Sequence, residues 1–172
     1  MTAETLTSTR AGAGFPTFAP LGAGILCAAY GQYTIAAAVE AGDIFEMCKL
    51  PPGAVIMGGW FRAVDLDTGG TESLDMDIGW AANGGSGTFD GVDTDGLGNL
   101  GVLTGDTFAL GNLAFEAAGL VYPLAGQLSV GKFPWFSKET TVQVYANAAA
   151  NGGHVGLMSV CVFYVVDPTL AA

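Results

Sequence analysis

Few residues in this chain could do chemistry, and their spacing argues against catalysis. Asp75 and Asp77 fall on one face of a strand-like run and could work as paired carboxylates. Acids so placed more often form the wet face of a strand. One histidine, His154, sits beside a turn and would have to serve any Ser–His–Asp triad. The run Gly84-Gly85-Ser86-Gly87 is followed by Thr88, where a nucleophile elbow needs glycine. Cys27, Cys48 and Cys161 show no close C-x-x-C spacing that would make a zinc site with His154. Odd in number and set among apolar residues, they are expected to be buried, reduced thiols. Asp93-Thr94-Asp95-Gly96 matches half of a calcium loop, but Asp90 breaks the spacing and the distal glutamate is missing. A solvated acidic loop is the expected reading, with Ca²⁺ at Asp90, Asp93 and Asp95 left open. Gly96-Leu97-Gly98-Asn99-Leu100-Gly101 has the G-x-G-x-x-G form, but Asp93 and Asp95 would repel a pyrophosphate and no convincing helix follows. No catalytic residue, metal ligand or cofactor is assigned, and the chain is expected not to be an enzyme.

The elements around these residues read as strands. Tyr30–Ala38 carries β-formers. In Asp43–Leu50, alternation places Ile44, Glu46, Cys48 and Leu50 on one face and Phe45, Met47 and Lys49 on the other. Pro51-Pro52-Gly53 is a turn, and Ala54–Leu66 a long strand whose Gly58-Gly59 suggests a bulge or bend. Ser73–Ala82 alternates, with Leu74, Met76, Ile78 and Trp80 inward and Ser73, Asp75 and Asp77 outward. The glycine-rich 83–105 segment reads as a long surface loop, and 106–119 as a short helix capped by Asp106. Leu120–Pro123 and Gln127–Val130 are short strand candidates. Thr140–Ala150 follows as a strand with Val142 and Val144 inward, then a hairpin turn at Asn151-Gly152-Gly153. His154–Val166 is apolar on both faces, which suggests a central strand covered on both sides.

Two further features point to contacts between molecules. Residues 1–24 read as an extended arm carrying Phe15 and Phe18 beside Pro16 and Pro20, held by a neighbouring chain or, as the alternative, packed on its own domain. The aromatic loop Lys132–Phe136 brings Phe133, Trp135 and Phe136 together, either as an exposed contact site or as a plug at one end of the core. Residues 25–172 then form one domain. With about eight strands, little helix and no βαβ alternation, the expected fold is an all-β antiparallel sandwich, jelly-roll-like, with an extended N-terminal arm.

Composition narrows the partners. The chain has 172 residues, of which 51% are apolar and 12% charged, with mean hydropathy +0.46. Its net charge is −11, and five Lys and Arg cannot make the basic footprint that nonspecific nucleic-acid binding needs. The longest clean apolar run, Val155–Val166, is too short to span a bilayer as a helix, and no secretory signal opens the sequence. Neither nucleic acid nor membrane is expected as a partner. So much apolar residue with so little charge suggests surface hidden between chains.

The run from Tyr30 to Trp80 contains Ala41-Gly42-Asp43-Ile44, Lys49-Leu50-Pro51-Pro52-Gly53-Ala54, Asp65-Leu66-Asp67-Thr68-Gly69 and Leu74-Asp75-Met76-Asp77-Ile78-Gly79. This grammar of turns and strands resembles that of small structural proteins of tailed bacteriophages, including capsid decoration and head-associated proteins. The resemblance implies a virion protein assembled in the host cytoplasm. The leading expectation is a decoration (cement) protein that binds the major capsid protein lattice as an oligomer, a homotrimer being favoured. Its contacts would be Phe15, Phe18, Phe133, Trp135 and Phe136. The alternative is a head-fibre, tail or host-recognition module, with Trp60, Trp80 or Trp135 stacking on sugars.

Overall fold

The strands predicted from alternation pair into two stacked sheets. The computed structural model describes residues 4–8, 11–12, 25–64, 66–68, 73–99, 121–153 and 155–172. The elements are β1 (Thr5–Thr7), β2 (Cys27–Ile35), β3 (Ile44–Leu50), β4 (Ala54–Ala63), β5 (Asp75–Trp80), β6 (Asp93–Asn99), β7 (Tyr122–Pro123), a 3₁₀ turn (Gly126–Val130), β8 (Thr140–Ala148) and β9 (Gly156–Val166). One sheet has the order β1-β3-β8-β5-β6 and the other β2-β9-β4-β7. Every pairing is antiparallel except that of β1 with β3. From β2 to β5, and again from β6 to β9, each strand crosses to the opposite sheet, while β5 and β6 are neighbours in one. The chain is therefore an all-β sandwich.

The core lies between the sheets. From β5 it takes Met76, Ile78 and Trp80, from β8 Val142 and Val144, from β4 Ile56 and Phe61, and from β9 Met158, Val160, Val162 and Tyr164. Burial of this apolar area, at about 25 cal/mol per Å², is the main force holding the sheets face to face. At Gly31 the sheets approach so closely that a Cβ would collide with the Met47 carbonyl. Glycine is required there by space alone.

Several expectations need correction. Strict alternation in β3 fails because the pairing with β8 slips between Glu46 and Cys48. The bulge turns both Met47 and Cys48 inward, so Phe45, Met47, Cys48 and Leu50 are all buried. The bulge expected from Gly58-Gly59 is present, between Ile56 and Gly58. The 83–105 segment is not all loop, since Asp93–Asn99 forms β6. Gly96 lets it do so, because a Cβ there would strike the Trp80 ring. Gln127–Val130 is a 3₁₀ turn rather than a strand. The Asn151-Gly152-Gly153 turn does not close a hairpin, because β8 and β9 belong to different sheets. The 106–119 helix, His154, Phe15 and Phe18 lie outside the described residues.

Buried carboxylates tie the connections to the sheets. Asp43 accepts the backbone N–H of Glu4 at 3.0 Å and of Glu40 at 2.9 Å. The first of these bonds holds part of the expected arm against the chain's own sheet, where Thr5–Thr7 pairs with Ile44–Glu46. Asp67, fully buried, accepts N–H groups from Ser73, Leu74, Asn151 and Gly152 at 2.8–3.1 Å. Asp90 accepts from Asn83 Nδ2, Gly87 N, Ser137 N and Ser137 Oγ at 2.5–2.9 Å. Asp43 and Asp67 sit within the turn motifs singled out in the sequence, so those motifs encode loop anchors.

Candidate functional site

The two outer faces of the sandwich differ in chemistry, and the difference follows from strand register. Paired residues in a sheet point to the same side. In the five-stranded sheet, one outward row runs Ile44, Tyr145, Asp77 and the next Glu46, Gln143, Gly79. Lys49 pairs with Thr141 beyond them and makes a 3.1 Å ion pair with Glu139. This face is polar and largely acidic.

The four-stranded sheet presents the opposite character. Its outward rows are Thr34 with Leu157, then Gln32, Ser159 and Arg62, then Tyr30, Cys161, Trp60 and Pro123. Ala28, Phe163 and Gly58 follow, and then Val165, Val55 and Trp135. Among these paired residues Arg62 is the charged side chain. Tyr30 and Trp60 lie with ring centroids 5.9 Å apart, tilted at 57°. Leu157 and Phe163 are each 37% exposed, and Met57 at the bulge is exposed as well. Ile25 and Leu26, which lead into β2, are also open to solvent, Leu26 at 62%. Apart from the Gln32–Ser159–Arg62 row this outer face is apolar, which makes it a candidate interaction surface.

The residues named from the sequence divide across this picture. Phe133 is exposed, at 50%. Trp135 is half-buried and joins the apolar face through its antiparallel bridge to Val55. Phe136 is fully buried, 5.3 Å from Trp80, and plugs the end of the core, so it is not a contact residue. Trp80 is buried too, with Nε1 donating to the Gly91 carbonyl at 2.9 Å, and cannot stack on a sugar. β9 is central, as expected, and its outward residues divide: Ser159 and Cys161 are buried, whereas Leu157 and Phe163 remain 37% exposed among the described residues. Tyr30, Met57, Leu157 and Phe163 were not singled out beforehand. The signal that could have found them is the two-faced apolarity of β9, which alternation alone assigns to burial.

The acids do not assemble a metal cage. Among the described residues no three His, Cys, Asp or Glu side chains converge as ligands. Asp90 is a clamp: burial favours its neutral form, but the Ser137, Asn83 and Gly87 hydrogen bonds outweigh that and hold its carboxyl at about 2. The wet face expected for β5 is not wet at Asp77, which is only 5% exposed. Burial, with Asp75 and Asp95 nearby, pushes its carboxyl up to about 6 against the opposing Asn147 hydrogen bond. Among the described residues no helix is long and apolar enough to cross a membrane.

No family model matches the chain, and no curated protein matches it. Solved structures do. A chain in the capsid of Ralstonia phage GP4 superposes with TM-score 0.69 at 25% identity, over 95% of this chain and 98% of that one. A chain in the capsid asymmetric unit of cyanophage Pam1 matches with TM-score 0.63 at 19% identity, over 92% and 99%. A third, in the acid-stable capsid of Helicobacter pylori bacteriophage KHP30, gives 0.51 at 13% identity, over 86% and 91%. The sandwich is thus a fold this chain shares with chains of phage capsids.

Proposed function

We propose that the chain is a virion structural protein, a capsid decoration subunit that acts by binding rather than by catalysis. The observation that carries this reading is the open apolar face of the four-stranded sheet, on a fold whose solved counterparts over nearly the full chain come from phage capsids. The strand orders β2-β9-β4-β7 and β3-β8-β5-β6 support a jelly-roll description of the sandwich. Tyr30, Trp60, Leu157, Phe163 and Trp135 supply the apolar anchors, with Phe133 beyond them. A stable contact removes about 800 Å² per partner from water, and rigid aromatic residues are favoured at its centre. The proposed partners are further copies of this chain, as a trimer, and the major capsid protein. The polar, acidic sheet then faces outward and keeps the particle soluble.

The test is a copy count and an assembly measurement. Quantitative imaging of virions is expected to find this chain in hundreds of copies on the capsid surface. Sedimentation of the purified protein is expected to show a trimer. A few copies at a tail or fibre, or a monomer that neither binds nor stabilises capsids, would reject the decoration role.

A further inference from the structure

The polar sheet contains an unsatisfied group. Asp75 Oδ1 and Asp77 Oδ1 are both buried with no hydrogen-bond partner. Asp77 is more than nine-tenths buried, and its other oxygen accepts from Asn147 Nδ2 at 2.6 Å. A buried carboxylate with one orphaned oxygen carries a large desolvation penalty, which a proton on that oxygen removes. The neighbours increase the need. On β5 Asp75 lies beside it, and on β6 Asp95 acts on it with like charge. Asp93 and Asp95 hydrogen-bond through their side chains, and Gln127 Nε2 donates to Asp93 at 3.4 Å. From β8, Tyr145 shares the outward row and Asn147 offers its amide. The charges acting on Asp77 are both negative.

The strand that this repulsion would push away is β6, an edge strand, paired in its sheet on one side only. It pairs with β5 at Asp77–Asn99, Ile78–Gly98 and Trp80–Asp93, with a register break between the last two.

We propose that Asp77, supported by Asp75, is a proton-binding site that fastens edge strand β6 to β5, so that losing the proton loosens that edge of the polar sheet. The direction follows from the carboxyl being raised from 3.8 to about 6. An acid raised in the folded state favours the closed form most at or below its unfolded value. That advantage is lost as pH climbs from about 4 to about 6 and is absent above. The occupant is the proton, since no ready cage for a metal stands among the described residues.

Hydrogen exchange on the full chain, with chelator present, tests this. Protection factors for residues 93–99 are compared with those of β9 at about pH 4.5 and pH 7.5. Wild type is expected to lose about tenfold in relative β6 protection across that interval, a value reduced for solvent screening. Asp77→Asn, nearly isosteric, should hold β6 protection constant within about twofold, and Asp75→Asn should give a smaller drop than wild type. No change in wild type, or an equal loss in Asp77→Asn, would overturn the proposal. Recovery of protection at the higher pH on adding calcium chloride would also overturn it, replacing the proton with a divalent cation.

Discussion

Removing the charge of Asp90 tests whether carboxylate clamps hold the loops of this sandwich. Asp90 sits 2% exposed where the 83–90 loop meets the 137 region, and it accepts bonds from Asn83, Gly87 and Ser137. Its carboxyl falls from 3.8 to about 2, a difference that corresponds at full value to about 2.4 kcal/mol. Solvent at the loop mouth discounts this to about 1–2 kcal/mol. Asp90→Asn keeps one acceptor oxygen and should cost about that much at pH 7. Asp90→Ala strips every donor of its partner and should cost about 3–5 kcal/mol. The sign is that of a depressed acid: the contribution is present above the unfolded value near 4 and is lost as pH falls through about 2. About half of the Asp90→Asn penalty should therefore remain at pH 3. Urea unfolding followed by tryptophan fluorescence, at pH 7 and pH 3 and at fixed protein concentration, reads both values. An Asp90→Asn protein as stable as wild type at pH 7, or an equal penalty at both pH values, would refute the clamp.

Other perturbations probe other parts of the argument. Phe163→Ser or Leu157→Ser changes an exposed residue of the apolar face, so thermal stability should move by less than about 1 kcal/mol while assembly weakens by more than about tenfold; sedimentation and capsid co-purification check both. Phe136→Ala, by contrast, opens a cavity beside Trp80 and should cost about 3–5 kcal/mol in urea unfolding without altering assembly of the folded fraction. Gly31→Ala forces a methyl into the Met47 carbonyl and should destabilise by at least about 1–3 kcal/mol, read as a fall in melting temperature. Asp67→Ala leaves the N–H groups of Ser73, Leu74, Asn151 and Gly152 without their acceptor, so proteolysis at the 149–153 turn should accelerate.

The local grammar was legible in the sequence, and the reasons are local. Leu74, Met76, Ile78 and Trp80 alternate in a run that nothing interrupts, so all of them face the core. The Gly58-Gly59 pair marked a bulge because glycine tolerates the kink. Where an interaction came from far along the chain, alternation misled. Met47 and Cys48 both turn inward because the pairing with β8 slips, and β8 lies almost 100 residues away. β6 formed from a segment that looked like loop because Gly96 makes room for the ring of Trp80.

The sequence by itself determined that this chain would be β-rich and poor in charge. Those properties depend on residue type and near-neighbour spacing. Only the tertiary structure decided where the apolar surplus goes. Stacking the sheets buries one face of β9 and leaves Leu157 and Phe163 on the other, on either side of the row that Cys161 forms with Trp60 of β4 and Tyr30 of β2. It also decided the roles of the acids. Asp67 and Asp90 became anchors because distant N–H groups converge on both their oxygens, while at Asp77 the Asn147 amide reaches one oxygen and leaves the other orphaned. Long-range pairing sets which groups meet, and it is the meeting of groups that separates a clamp, a proton site and an assembly face.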